Sequence, residues 1–583
     1  VLVAVLAGCS TAVSAADTDG TSVTTTTTED GTTNTSVAAG STADEVLAAN
    51  LTVHDAAEDD PGDTTGTITL DGGSAGSDAE GVTVDGSVVT ITAGGTYTIS
   101  GTLDDGQIVV AAGDEVVRLV LDGAEISSST SAAIWVQEAG SVTVELAAGS
   151  QNTLSDTTAY GDGEDEPTGA LYSTADLAIT GEGALTVHGN ANDAIVGKDG
   201  LVISGGTITV DAVDDGIRGK DYLVVTDGTI DVTAGGDGLK SDEDTDTTAG
   251  FVHLAGGDVT IVADGDGVQA ETDAVVTGGT LDVTAGGGSG ATIADDTSAK
   301  GVKGNASVVV DDGAVTIDAA DDAIHSNGIV TLTDGTLDLA SGDDGVHADV
   351  ALDVTGGTIT VSTSYEGLEA EAITLAGGTI DVTASDDGVN AASSATGSTE
   401  DAQGDWGGPQ GETSGTASLT ITGGTIHVDA GGDGLDANGT LTMSGGDVVV
   451  DGPTDDGNGA LDVDGTFTVT GGTLVAAGSS GMAVAPGTDG QGWVSATFSS
   501  TQTAGTVIEV VASDGTVVAT YTAAKQITSL VVSDAAIVEG DTYTITADGA
   551  EVMTVTAGEH TGGTMGGGAG GGQPGGGQGG QRP

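Results

Sequence analysis

Along most of the chain, apolar and polar residues alternate over short runs, and the runs are separated by glycine. In Thr207-Ile208-Thr209-Val210 the Ile and Val fall on one side and the two Thr on the other, as a strand's period of two requires. The phrase Gly-Gly-Thr-Ile-x-Val-x-Ala keeps returning, and nine residues after its second Gly comes Asp-Gly-Val or Asp-Gly-Ile. That Gly stands at Gly206, Gly228, Gly257, Gly279, Gly313, Gly335, Gly357, Gly378, Gly424 and Gly446, so five of the nine intervals are 22 residues and one is 21. The longer intervals carry insertions at 241–249, 289–299 and 391–416, always around or after the Asp-Gly, so loops leave one edge of the repeat.

A second short strand follows the Asp-Gly, as in Leu223-Val224-Val225, and Gly-rich corners supply the backbone angles of sharp turns. No single repeat can bury its apolar residues, but repeats stacked about 4.8 Å apart bury a continuous core. A β-propeller needs longer repeats with four strands each, and calcium-binding nonapeptide arrays need a nine-residue period that is absent. The pattern therefore predicts an all-β fold, a right-handed parallel β-helix with coils of about 22 residues. Residues 81–185 keep the texture without the strict phrase and read as its first, less regular coils. From about 491 to 556 the period stops and hairpin-like segments predict a small β cap over the open end.

Composition agrees with a thin core: aromatics are 2% of the chain and 102 residues are Gly. The single cysteine, Cys9, excludes disulfides within the chain. It follows Leu6-Ala7-Gly8 after a hydrophobic stretch, which resembles a bacterial lipobox and predicts an exported protein, lipid-anchored at Cys9 and facing outward. The alternative is an ordinary signal peptide cut near Ala15 or Ala16. The expected organisation is a signal remnant over 1–16, a disordered Thr/Ser/Asp-rich stalk over 17–63, the repeat domain over 64–484, the cap over 485–557 and a disordered Gly-rich tail over 558–583. A monomer is expected, touching the membrane only through its lipid.

Charge narrows the partners. Ninety Asp and Glu against nine Lys and Arg give a net charge of −81, which repels nucleic acid and calls for a neutralising cation. Stacking turns each repeat position into a column. The position nine after the second Gly holds Asp215, Asp237, Asp266, Asp322, Asp344, Glu366, Asp387 and Asp433, with Asp193 the counterpart in a leading, degenerate copy. Carboxylates about 5 Å apart repel by roughly 3 kcal/mol at an effective dielectric of 20, and Ca2+ would turn this into attraction. Further oxygens are near in Asp214, Asp242, Asp244, Asp321, Asp343 and Asp386. The competing reading is that these Asp residues hold turns through side-chain to backbone hydrogen bonds.

Lys300 takes the Asp slot in one repeat. Three residues on, the column reads Arg218, Lys240, Gln269, Lys303, His325, His347, Glu369, Asn390 and Asp436. Six of the nine basic residues, Lys198, Arg218, Lys220, Lys240, Lys300 and Lys303, fall between 198 and 303. They form either a cationic strip suited to an acidic sugar polymer or a set of local partners for Asp. Arg218, Lys220, Lys240, Lys303, His325 and His347 are the carbohydrate-binding candidates, with Trp406 as a sugar-stacking ring. The outward Thr column, Thr207, Thr229, Thr280, Thr336, Thr358, Thr379 and Thr425, reads mainly as a solvated β face, and as a hydroxyl ladder it could also hydrogen-bond a linear polysaccharide or ice.

Several phrases in order, namely Gly106 to Ile108, Arg118-Leu-Val-Leu-Asp-Gly123, Asn152-Thr-Leu-Ser-Asp156, Asp215-Gly-Ile-Arg-Gly-Lys-Asp221 and Asp237-Gly-Leu-Lys240, resemble a bacterial carbohydrate-binding β-helix family. That family is related to a clostridial cellulose- and pectin-binding, polysaccharide-lyase-like protein. The resemblance implies a β-helix, bound calcium and affinity for plant-type polysaccharide. Two readings from different classes follow: a non-catalytic, calcium-dependent polysaccharide binder, which is favoured, and a pectate-lyase-like enzyme. In the second, Lys240 or Lys303, then Arg218, would abstract the C5 proton. A structural adhesin or stalk is the third reading.

Overall fold

The computed structural model describes residues 26–27, 33–34, 38–161, 163, 166–294, 297–393 and 416–560. The lipidation site Cys9, the signal remnant, Trp406 and residues 561–583 of the tail lie outside them.

Within the repeat, each coil contributes to three ladders of parallel strands. In the first, Leu201 pairs with Leu223, Val252, Ala274 and Val308 in successive coils. In the second, Ile208, Ile230, Val259, Leu281 and Val315 are in register. The third is short, three residues per coil, and stacks Ile217, Leu239, Val268, Val302 and Ile324. These apolar columns point inward from all three sides into one continuous core. The alternation of Thr207-Ile208-Thr209-Val210 is reproduced as exposed and buried positions along the strand.

The expected right-handed parallel β-helix, one coil after another on a single plan, needs correction. Strands Val116–Ser127, Ser141–Leu146, Leu177–Gly181, Gly200–Ala212, Ala184–Gly189 and Gln151–Ser155 bond in that order, and the last returns to the first. Six parallel strands thus close into a ring, and many further strands are bonded outside it. The cause lies in two long strands, Val116–Ser127 and Gly200–Ala212, which run through a corner without a break. Gly123 and Gly206 bend there at φ 77° and 93°, so each strand serves two ladders. Antiparallel pairs also enter near the start, where Thr65–Gly72 meets Ala75–Ser77 and Val82–Asp85 meets Val88–Ile91. The all-β class stands.

Residues 38–63, expected within a disordered stalk, are held against the ladders instead. Thr42 and Glu45 form a capping box that starts helix Ala43–Ala49. Ala43 and Val46 of this helix bury against Val275 and Val309. The Ala43 amide donates to Asp311 Oδ2 at 3.0 Å. Further along, the His54 amide donates to Tyr222 Oη at 3.0 Å. Arg118 donates to the Ala57 carbonyl at 3.0 Å and Thr143 to that of Ala56 at 2.8 Å. The segment is a strap laid over the outer face of the first ladder. At the other end, strand Thr473–Gly478 is covered by an antiparallel partner, Ile527–Ser533, from a unit with its own apolar core.

Candidate functional site

The Asp position after the second strand sits at the entry to the third ladder, where the chain turns inward, and this buries it. Asp193, Asp215, Asp266, Asp322 and Asp344 are all at most 6% exposed. From Asp193 to Asp322 each carboxylate does two jobs. One oxygen accepts the backbone N–H of the next coil's column residue: Asp237 to Asp215 at 2.9 Å, Asp266 to Asp237 at 2.8 Å, Lys300 to Asp266 at 2.8 Å and, beyond that stretch, Asp433 to Asp387 at 2.6 Å. From Asp193 to Asp322 the other oxygen faces the basic column three residues on.

That basic column is real in space: Arg218, Lys240, Gln269, Lys303, His325, His347, Glu369, Asn390 and Asp436 are in direct register. Its cations are already engaged. Arg218 pairs with Asp193 at 3.5 Å and Asp242 at 3.2 Å, and Lys240 with Asp215 at 3.1 Å and Asp237 at 2.7 Å. Lys303 pairs with Asp266 at 3.6 Å, His325 with Asp322 at 2.7 Å, and Lys220 with Glu243. Lys300, in the Asp slot, pairs with Asp321 and Asp322. The local-partner reading thus describes these side chains better than a free strip. Asp214 and Asp244 are exposed.

Burial works to lower Lys240, but Asp237 and Asp215 outweigh it and hold the amine above its ordinary range. A lysine so held is protonated at neutral pH and cannot take the C5 proton of a uronate. Burial likewise pushes Asp193 up to about 7 in spite of Arg218.

The column does not offer calcium a uniform row of sites. From Asp193 to Asp322 backbone amides and basic side chains occupy the oxygens. Beyond His347 the register column turns to Glu369, Asn390, Asp436 and Asp462, with no Lys or Arg. There burial and neighbouring carboxylates push Glu366 up to about 7, Asp387 to about 6 and Asp436 to about 8. Asn390 donates to Glu366 Oε2 at 2.8 Å, while its own amide oxygen is buried without a hydrogen-bond partner. In the paired stretch, oxygens of Asp321, Asp322 and Asp343 also lie within 4.8 Å of one another, with Lys300 on the first two.

Beside the outward Thr column, at Thr207 and Thr229, lies a groove that the sequence did not predict. An open groove of about 730 Å³ follows the corner between the first and second ladders over successive coils. Gly206, Gly228, Gly257 and Gly279 line it, all at positive φ. A Cβ on Gly279 would stand 2.5 Å from the Gly257 carbonyl, so the stacking itself demands glycine. The result is a trough bare of side chains, edged by Glu182, Thr207, Asp227, Thr229 and Asp258. Its signal was present in the recurring Gly-Gly, which reads locally as a turn and only after stacking as a groove.

Comparison with known proteins places this groove inside a matched segment. Residues 85–345 match a family described as carbohydrate-binding domain-containing protein. That segment, somewhat under half of the chain, is similar to the carbohydrate-binding domain family. A carbohydrate-binding domain-containing protein of Acetivibrio thermocellus is 44% identical over 137 residues, 23% of this chain and 48% of the relative. The chain thus spans about half the length of that relative. A solved structure of a polysaccharide lyase-like protein from C. thermocellum, a gadolinium derivative, is 36% identical, with a TM-score of 0.37 over 38% of this chain and 92% of that one.

Proposed function

We propose that the protein is a non-catalytic polysaccharide-binding protein, and that the polymer lies in the glycine-lined groove. The observation that carries this reading is the position of the groove, within the residues that match the carbohydrate-binding family. Lining residues from five successive coils, about 4.8 Å apart, make a trough of about 15–20 Å, open along its length. A linear chain of sugars can lie along it, with hydroxyls meeting backbone amides and the Thr207 and Thr229 side chains. Acidic and neutral polymers are both candidates, because Asp227 and Asp258 can hold a cation that bridges to a uronate.

Calcium belongs to this proposal as a stabiliser, held by Glu366, Asp387, Asp436 and the Asn390 amide oxygen. Export and anchoring through Cys9 would set the protein on the bacterial surface. The lyase reading is disfavoured by the engagement of Lys240, Lys303 and Arg218 in ion pairs. The test incubates residues 38–560 with insoluble cellulose and with immobilised polygalacturonate, in calcium and in chelator, following both retention and release of unsaturated products. Retention without products supports the proposal. Unsaturated products would make the protein a lyase, and no retention on any polymer would leave the adhesin reading.

A further inference from the structure

One coil of the basic column breaks its pattern. His347 stands between carboxylates on both sides, because the next residue in register is Glu369. Its Nδ1 lies 2.9 Å from Asp344 Oδ2 and 2.8 Å from Glu369 Oε2. A single ring N–H cannot serve two such acceptors well. At the preceding coil His325 meets Asp322 alone, and Lys300 adds the missing positive charge. The coil of His347 has no such lysine partner among the described residues.

We propose that Asp344, His347 and Glu369 form a three-ligand site for a divalent transition metal of the zinc type. One imidazole nitrogen and two carboxylate oxygens lie within 4.8 Å of one another. Tetrahedral ligands about 2 Å from zinc stand roughly 3.3 Å apart, so the two nitrogen–oxygen contacts need open by only about half an ångström. The second ring nitrogen, Nε2, meets Asp349 Oδ1 at 3.3 Å. A carboxylate on the far nitrogen is the arrangement that orients metal-bound histidines and fixes their tautomer. The His325 ring stacks on His347, centroids 5.0 Å apart and planes 8° from parallel, and holds the imidazole in place. Asp344 is buried, but Glu369 and His347 are 24% and 19% exposed, which leaves an entry and an open fourth position. An imidazole ligand selects zinc-like ions over calcium, so this site is separate from the oxygen-rich stretch that follows.

The experiment strips the purified full-length protein with chelator, then titrates Zn2+ by calorimetry and Co2+ by visible absorption. The expected result is one saturable equivalent and an intense tetrahedral-type cobalt spectrum, neither displaced by millimolar calcium. His347→Gln and Glu369→Gln should abolish the spectrum, and Asp349→Asn should weaken binding by about tenfold or more. Thermal melts of the metal-free variants report folding, and the more exposed Glu369→Gln carries the test if His347→Gln does not fold. Absence of a saturable equivalent, a spectrum that survives both ligand variants, or full displacement by calcium would overturn the proposal.

Discussion

At the scale of single residues, the column aspartates explain how a chain of net charge −81 can stack its coils. A buried carboxylate that accepts the next coil's N–H and also faces a cation is stabilised twice, and removal of the cation strands it. Lys240→Met should cost about 2–4 kcal/mol in denaturant unfolding, since it leaves Asp215 and Asp237 buried together. A second prediction concerns the outward column of the second ladder, where Thr209, Asp231, Thr260, Asp282, Thr316, Asp338, Thr360 and Asp381 are in register. Thr and Asp alternate, so no two carboxylates stand in adjacent coils. Thr260→Asp would place three in a row and should destabilise by about 1 kcal/mol, an effect that added salt diminishes. The Asp column was legible in the sequence, because a fixed spacing survives stacking unchanged, whereas the alternation of Thr and Asp emerged from the register. The oxygen that each Asp gives to backbone was not legible, since spacing tells which residues are neighbours and not which atoms they share.

Elements show where sequence reading reached its limit. Strand positions and their inward faces followed from alternation, but the continuous bends at Gly123 and Gly206 did not, and these close the six-strand ring. Residues 38–63 looked like stalk because they carry few large apolar side chains, yet Ala43 and Val46 suffice when Val275 and Val309 offer an outer apolar patch. A short amphipathic segment has no signal without its receiving surface. Val46→Ala, which removes two buried methyl groups, should loosen the strap by about 2 kcal/mol and speed limited proteolysis within 38–63. Cleavage unchanged from the parent protein would mean that the strap is not held by this contact. The end unit carries a similar prediction. Removal of 485–557 would bare the edge of Thr473–Gly478, and light scattering should then report aggregation.

For the molecule as a whole, protonation sets a direction. Glu366, Asp387 and Asp436 have folded values of about 7, 6 and 8, above their ordinary 4.5 and 3.8. The folded state therefore holds protons that the unfolded chain has lost, and stability falls as pH rises from about 4 to about 8. His427, raised to about 9 chiefly by its hydrogen bond to Asp451, acts in the same sense, since its contribution is complete below 6.5 and lost as pH passes 9. Glu243, held down at about 2 by Lys220, opposes them only in acid, where its contribution is lost as pH falls below 4.5. The melting temperature should peak between about pH 4.5 and 6, and calcium should raise it most near pH 8. A maximum at pH 8 without calcium would contradict this.

The central claim is that polysaccharide lies in the glycine-lined groove and not on the basic column. It is tested most directly by equilibrium binding of the retained polymer to the parent protein, to Thr229→Gln and Thr207→Gln in the groove, and to Lys303→Gln on the third ladder. The account predicts that each groove variant binds about tenfold more weakly while Lys303→Gln binds as the parent does. Loss of binding in Lys303→Gln with full binding in the groove variants would contradict it.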